Sequence, residues 1–64
     1  MINRVRECRE ARSLTQAGLA DRLGISRQSV NAIETGKYDP SLPIAFGLAR
    51  VFETSIESLF DPGR

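Results

Sequence analysis

Two short apolar stripes with a glycine between them occupy residues 16–35, which read QAGLADRLGISRQSVNAIET. The stripe positions are Leu19, Ala20 and Leu23 in the first half and Val30 and Ile33 in the second. Within each half, these positions recur at the spacing that places side chains on one face of an α-helix. The stretch therefore predicts two short amphipathic helices joined by a tight turn.

Three residues define how the two helices meet. Gly24 follows the first stripe, where a helix end often needs the left-handed conformation that glycine adopts at low cost. Ser26 offers a hydroxyl oxygen to the free N–H groups of the next helix. Ala20 supplies the small side chain that closely crossing helices need at their contact.

The segment LTQAGLADRLGISRQSVNAIETGK, followed by PSL, resembles the phage repressor/Cro helix-turn-helix family of transcription regulators, also called the XRE family. The resemblance runs from about Val5 to Phe60. It includes five constrained positions in one unbroken register, namely Ala20, Gly24, Ile25, Val30 and Ile33. It implies an all-α, compact five-helix repressor-like domain that binds double-stranded DNA, with the helix-turn-helix at about residues 16–35.

The length of 64 residues leaves room for one domain, residues 1–64, and for one small core. Hydrophobic residues make up 41% of the chain, but no apolar run approaches the roughly 18 residues of a membrane span. The N-terminus alternates Arg and Glu instead of opening into the apolar region of a signal peptide. We therefore expect a cytoplasmic protein with no membrane partner, no separate ligand-sensing domain and no small-molecule ligand.

The chain contains a single cysteine, Cys8, and no histidine. An internal disulfide is therefore impossible, and a zinc site made by one chain is not expected. Cys8 follows Val5 by three residues on the inner face of the first helix. It is interpreted as a small buried hydrophobe or, alternatively, as a redox-sensing thiol. We expect no cofactor and no metal.

The net charge is only +1, but it is unevenly distributed. Residues 1–38 contain seven basic and four acidic side chains, a net charge of +3, and residues 39–64 contain two basic and four acidic ones, a net charge of −2. The positive part coincides with the two-helix motif, as a phosphate-facing surface requires. The negative part is expected to face away from DNA.

Helical spacing and capping residues predict five helices, at about residues 3–12, 16–23, 27–35, 42–52 and 56–60. The predicted N-caps are Thr15, Ser26, Ser41 and Ser55. The predicted inner positions of the first and fourth helices are Ile2, Val5, Cys8, Leu42, Ala45, Leu48, Ala49 and Phe52. No strand-like alternation appears, so we predict no sheet, and residues 61–64 are expected to fray.

Two glycines lie inside predicted helices. Gly18 stands where the resembling family more often has Glu, and Gly47 lies within the fourth helix. Each is expected to cost about 1 kcal/mol relative to Ala. In so small a chain, this cost suggests that stability depends on dimer formation.

The third helix is expected to lie in the major groove. Val30 and Ile33 are expected to face the core. The positions that then remain at the surface of this helix are Arg27, Gln28, Asn31 and Ala32. Arg27 can donate two hydrogen bonds to guanine, Gln28 or Asn31 can pair with adenine, and Ala32 can offer only a methyl contact to thymine. The alternative for the polar residues is a solvated helix face.

Contacts to phosphates are predicted around this helix. Gln16 matches the residue that clamps a phosphate in the resembling family, at a helix N-terminus that also attracts anions. The other candidates are Ser26, Ser29, Thr35, Lys37 and Tyr38. Tyr38 has packing on the loop as its alternative, and Arg12 is interpreted as either a phosphate contact or a surface charge.

Arg9 and Glu34 occupy the positions at which the resembling family forms an ion pair between the first and third helices. Such a pair adds little net stability, but removal of one partner leaves an uncompensated charge. We therefore expect a structural role for both residues.

No catalytic set is visible, because the carboxylates are scattered and no histidine is present to act as a base. We expect no enzyme. The prediction is a homodimeric, sequence-specific regulator, a repressor at a pseudo-palindromic operator. The alternatives are a DNA-binding antitoxin, a restriction-system controller, and a protein-interaction module that has lost DNA binding. The candidate dimer contacts are Phe46, Val51 and Phe60, each with burial in the monomer as its alternative.

Overall fold

A computed structural model describes residues 1–63 and contains five helices and two short strands. The helices are α1 (Val5–Ala11), α2 (Gln16–Leu23), α3 (Arg27–Glu34), α4 (Leu42–Val51) and α5 (Ile56–Leu59). The strands are β1 (Ile2–Asn3) and β2 (Phe60–Asp61). The predicted five-helix architecture is confirmed. Residues 61–64 were predicted to fray. The prediction is wrong for Asp61, which lies in β2 and pairs with Ile2, and Arg64 lies outside the described residues.

Side-chain caps set the starts of four helices as predicted. The hydroxyl oxygen of Thr15 accepts the N–H of Gly18 at 2.9 Å, and that of Ser26 accepts the N–H of Ser29 at 3.0 Å. Ser41 and Ser55 cap α4 and α5 in the same way. Each cap satisfies one N–H that lacks a partner inside its helix.

Four helices end in the same hydrogen-bonded arrangement, in which the N–H after a left-handed residue bonds back five residues. Gly24 and Gly36 supply the left-handed residue after α2 and α3, with φ of 69° and 77°. Ser13 and Glu53 supply it after α1 and α4, with φ of 57° and 53°. The role of Gly24 was predicted, and Gly36 fills the same role after α3. The other two left-handed residues were not predicted, because neither residue type marks a left-handed position in a sequence.

One hydrophobic core joins all five helices. Its buried side chains are Val5, Leu19, Ala20, Val30, Ile33, Ala45, Leu48, Ala49, Phe52, Leu59 and Phe60. Cys8 is half-buried against this core, which agrees with its interpretation as a small hydrophobe. The apolar stripes of α2 and α3 thus face inward, and their polar sides remain at the surface.

Gly47 lies where α4 passes α2. A Cβ at this position would lie 3.0 Å from Cδ2 of Leu23, which is closer than ordinary van der Waals contact. The glycine that weakens α4 as an isolated helix therefore permits a close approach of two helices.

The prediction of no sheet was wrong. β1 and β2 pair antiparallel, with Ile2 opposite Asp61 and Asn3 opposite Phe60. Phe60 is consequently extended instead of helical, and α1 begins two residues later than predicted, because Asn3 lies in the strand. Strands of two residues show no alternating pattern in a sequence. These strands can be identified only from the backbone pairing of the two ends of the chain in the folded structure.

Two predicted inner residues are at the surface. Ile2 and Leu42 are each 64% exposed, although the remaining predicted inner positions of α4 are buried. Leu42 is the first residue of α4 and precedes the part of the helix that packs on the core. Ile2 belongs to β1, where the backbone pairs with β2 and the side chain turns outward.

Candidate DNA-binding surface

The outward side of α3 presents a row of polar side chains. Arg27, Gln28 and Asn31 are exposed, while Val30 and Ile33 on the other side are almost fully buried. Ala32 is half-buried, so only part of its surface is accessible. The helix thus has a fixed orientation, and the three predicted polar contacts share its free face.

The predicted phosphate contacts around α3 differ in the hydrogen-bonding capacity they have left. The hydroxyl of Thr35 donates to the carbonyl oxygen of Asn31 at 3.0 Å. The hydroxyls of Ser26 and Ser29 lie 2.9 Å apart, so one donates to the other and one O–H remains free. Lys37 and Tyr38 are exposed in the loop after α3. Lys37 therefore offers the strongest attraction to a phosphate in this group.

Glu34, at the end of α3, accepts hydrogen bonds from two other helices. Nε of Arg9 in α1 lies 2.6 Å from Oε2 of Glu34, and Nη2 of Arg9 lies 3.3 Å from Oε1. Nε2 of Gln16, the first residue of α2, donates to Oε1 at 3.0 Å. The ion pair between Arg9 and Glu34 that the resemblance implies is therefore present. Gln16, the predicted phosphate contact, donates a hydrogen bond to the same carboxylate.

This network is shielded from solvent. The side chains of Glu34 and Arg9 are 2% and 10% exposed. The hydrogen bond to Glu34 raises the pKa of the Arg9 guanidinium, although burial opposes this effect. Nη1 of Arg9 donates to the carbonyl oxygen of Leu14 at 2.8 Å, so the buried cation is well partnered. Arg6 approaches the same carboxylate at 3.9 Å from the exposed side.

Sequence reasoning did not find the bond between Gln16 and Glu34. The resemblance assigned Gln16 to phosphate and Glu34 to Arg9, and no local signal joins residues 18 positions apart. The bond leaves the amide oxygen and the second N–H of Gln16 available to an outside group. The network therefore orients Gln16 at the start of α2 without using up its amide.

Arg12 links α1 to the end of α4. Its Nη2 donates to the carbonyl oxygen of Phe52 at 2.8 Å, and its Nη1 lies 3.5 Å from Oε1 of Glu53. The guanidinium also lies 5.9 Å from the centre of the Phe52 ring. Of the two roles considered for Arg12, these contacts favour a surface charge with a structural task, which satisfies a carbonyl at a helix end.

The three predicted dimer contacts lie in different environments. Phe46 on α4 is half-exposed, Val51 is half-buried, and Phe60 is buried in the monomer core. Phe60 belongs to the buried core and is only 9% exposed, so it has little surface to offer a partner.

The defining pattern of the helix-turn-helix family matches residues 5–59. The chain belongs to this family. A helix-turn-helix transcriptional regulator from Methanocaldococcus jannaschii is 50% identical over 60 residues, which cover 94% of this chain and 91% of that protein. The Bacillus subtilis regulator YgzD is 38% identical over the same shares of both chains.

Solved structures of two proteins resemble the fold. The restriction-modification controller protein C.AhdI from Aeromonas hydrophila has a TM-score of 0.80 and 35% identity, covering 89% of this chain and 86% of that one. The N-terminal DNA-binding domain of SinR from Bacillus subtilis also has a TM-score of 0.80. It is 21% identical over 95% of this chain and 90% of that domain, and it supports the fold alone.

Within residues 1–63, no helix is both long and apolar enough to cross a membrane. No three acidic or cysteine side chains in this part of the chain gather into a group that holds a metal ion.

Proposed function

We propose that this chain represses transcription as a homodimer that reads a pseudo-palindromic operator through the major groove. As a member of the helix-turn-helix family, it is a DNA-binding transcription regulator. The observation that carries the proposal is the outward row of α3. Arg27, Gln28 and Asn31 are exposed on a helix whose opposite side is locked into the core.

The side chains of this row suit base reading. Arg27, in the first turn of α3, can donate two hydrogen bonds to O6 and N7 of guanine. Gln28 and Asn31 can each pair with N6 and N7 of adenine. The half-buried Ala32 offers a methyl contact to thymine. Because α3 is capped at Ser26, its first turn is held ready for contact with base edges.

Phosphate contacts at both sides of α3 would fix its position on the duplex. Lys37 would supply a charge after α3, where its backbone N–H bonds to the carbonyl oxygen of Ala32 at 3.0 Å. Gln16, oriented by Glu34, would contact the backbone at the start of α2 together with the free N–H groups there. Ser26, Ser29, Thr35 and Tyr38 are the secondary candidates.

A second candidate function is control of a restriction-modification system. The structural likeness to C.AhdI, at 35% identity over most of both chains, favours it. This second function would use the same DNA-binding surface and would differ from the first only in the genes that are regulated. An interaction module without DNA binding is less well supported, because Arg27, Gln28 and Lys37 are all exposed and Gln16 is only half-buried.

Selection of bound duplexes from a random-sequence pool tests the proposal. We expect the unmodified chain to select a two-fold symmetric site. Arg27→Ala should weaken binding to that site by about 1 to 3 kcal/mol and relax the preference at one base pair of each half-site. Lys37→Ala should leave the preference intact and lower the slope of log affinity against log salt by about one unit.

The two variants serve as controls for each other, since one removes a base contact and the other a phosphate contact. If Arg27→Ala returned the same preference at every position, the assignment of α3 to the major groove would be wrong. An unchanged salt slope for Lys37→Ala would contradict its phosphate contact. Failure of the unmodified chain to enrich any sequence would contradict the proposed function as a whole.

A further inference from the structure

Arg6 approaches the buried Glu34 carboxylate from the solvent side. It lies in the first turn of α1, and its Nε is 3.9 Å from Oε1 of Glu34. The side chain of Arg6 is 64% exposed, whereas that of Glu34 is 2% exposed. The network around Glu34 therefore reaches the protein surface at the guanidinium of Arg6.

Glu34 does not need Arg6 for its charge balance. The carboxylate already accepts two hydrogen bonds from Arg9 and one from Gln16. Because one guanidinium neutralises one carboxylate, the charge of Arg6 is in excess. The distance of 3.9 Å is too long for a hydrogen bond. Glu10 lies one turn later on α1, but within residues 1–63 no ion pair of 4.0 Å or less joins it to Arg6.

The donors of Arg6 are consequently available to an outside group. A guanidinium has five N–H groups in a planar fork, which fits two oxygens of a phosphate or carboxylate. None of the hydrogen bonds among residues 1–63 is donated by the side chain of Arg6. A surface cation with this hydrogen-bonding capacity is suited to an anionic ligand.

The position of Arg6 identifies the anion. Gln16, a proposed phosphate contact, donates at 3.0 Å to the same Oε1 that Arg6 approaches. Thr35, another candidate, follows Glu34 directly in the chain. The guanidinium of Arg6 and the amide of Gln16 therefore lie close enough for one phosphate group to contact both. The cation adds the charge attraction that a neutral amide lacks.

We propose that Arg6 is a further DNA-contacting residue, which binds a single backbone phosphate in each half-site together with Gln16. This inference rests on the proposed function and deepens it, because it adds α1 to a surface otherwise formed by residues 16–38. The contact supports affinity for every sequence, since a phosphate carries no information about the bases.

The salt dependence of binding measures how many phosphates the protein contacts. We expect Arg6→Gln to lower the slope of log affinity against log salt by about one unit for each bound chain, because one phosphate loses its cation. Arg6→Lys keeps the charge and should keep the slope. Arg4→Gln is the matched control, since Arg4 is exposed but lines a groove beside α5 that contains none of the proposed phosphate contacts. It removes the same charge and should leave the slope unchanged.

A scan with uncharged phosphates locates the contact. Single methylphosphonates replace each backbone phosphate of the selected site in turn, and fluorescence anisotropy measures the affinity. At one position in each half-site, we expect the unmodified chain and Arg4→Gln to lose about tenfold, the loss of one charged hydrogen bond. Arg6→Gln should lose little at that position, and Gln16→Ala should lose less than the unmodified chain. An effect of Arg6 on Glu34 alone would weaken binding without removing the sensitivity to one phosphate.

An unchanged salt slope for Arg6→Gln, or a variant that stays sensitive at every phosphate position, would overturn the proposal. The proposed function would still stand in either case if the unmodified chain selects a symmetric site. If the unmodified chain selects no site, the proposed function fails. The salt slope on a duplex of fixed sequence then still tests Arg6, because phosphate contacts form on any sequence. Far-ultraviolet circular dichroism verifies that each variant is folded.

Discussion

At the scale of single residues, the Glu34 carboxylate connects three helices. It lies at the end of α3 and accepts hydrogen bonds from Arg9 of α1 and Gln16 of α2. Because the carboxylate and the guanidinium are both nearly excluded from solvent, each depends on the other for its charge compensation. This buried pair thus ties α3 to α1, in addition to the core packing of Val30 and Ile33.

Glu34→Gln tests this dependence, since it removes the charge and keeps the size of the side chain. We expect the free energy of unfolding to fall by about 3 to 5 kcal/mol, because the buried Arg9 loses its counter-charge. Urea unfolding followed by circular dichroism measures the change. Glu10→Gln, at an exposed position of α1, is the control and should shift stability only slightly. Equal stability of the two variants would show that the pair has no structural role.

At the scale of elements, the eight-residue helix α3 depends on its cap. A helix this short is only marginally stable by itself, so an N–H without an acceptor in its first turn lowers its stability by a large fraction. Ser26 supplies the cap from an extended backbone, with its hydroxyl oxygen 3.0 Å from the N–H of Ser29. The cap is also part of the surface proposed to face DNA. Stability and recognition therefore need separate measurements at this position.

We expect Ser26→Ala to lower the free energy of unfolding by about 1 kcal/mol, measured without DNA, because the N–H of Ser29 loses its acceptor. Ser26→Asn keeps a capping oxygen and should retain nearly the stability of the unmodified chain. If the two variants were equally destabilised, the capping bond would not be the cause.

At the scale of the whole molecule, the operator should mirror the symmetry of the protein. In the proposed dimer, the two α3 helices would meet successive major grooves, which would place the half-sites about 10 base pairs apart, centre to centre. A single 64-residue domain reads only a few base pairs, so tight binding needs both half-sites.

Insertion of about five base pairs between the half-sites tests this geometry, because it turns one half-site to the opposite side of the duplex. We expect the affinity to fall to that of a single half-site, as measured by fluorescence anisotropy. A site scrambled in one half is the control and should bind with the same reduced affinity. Full affinity after the insertion would contradict a rigid two-fold complex.

The sequence alone determined the features that depend on neighbours within one helical turn. Thr15, Ser26, Ser41 and Ser55 cap helices because their oxygens reach an N–H three residues ahead. Gly24 ends α2 because it takes a positive φ locally. The stripes of α2 and α3 are buried as their spacing predicts. These interactions are short in sequence, so residue types and intervals suffice to predict them.

Only the tertiary structure decided what depends on distant segments. β1 and β2 lie near opposite ends of the sequence, and their pairing holds Phe60 in an extended conformation. Gln16 meets Glu34 because α2 and α3 cross, and Gly47 lies close to the side chain of Leu23 because α4 passes α2. The spacing of residues within one segment does not indicate which distant segments will be in contact. Such contacts arise only when all five helices pack around one core.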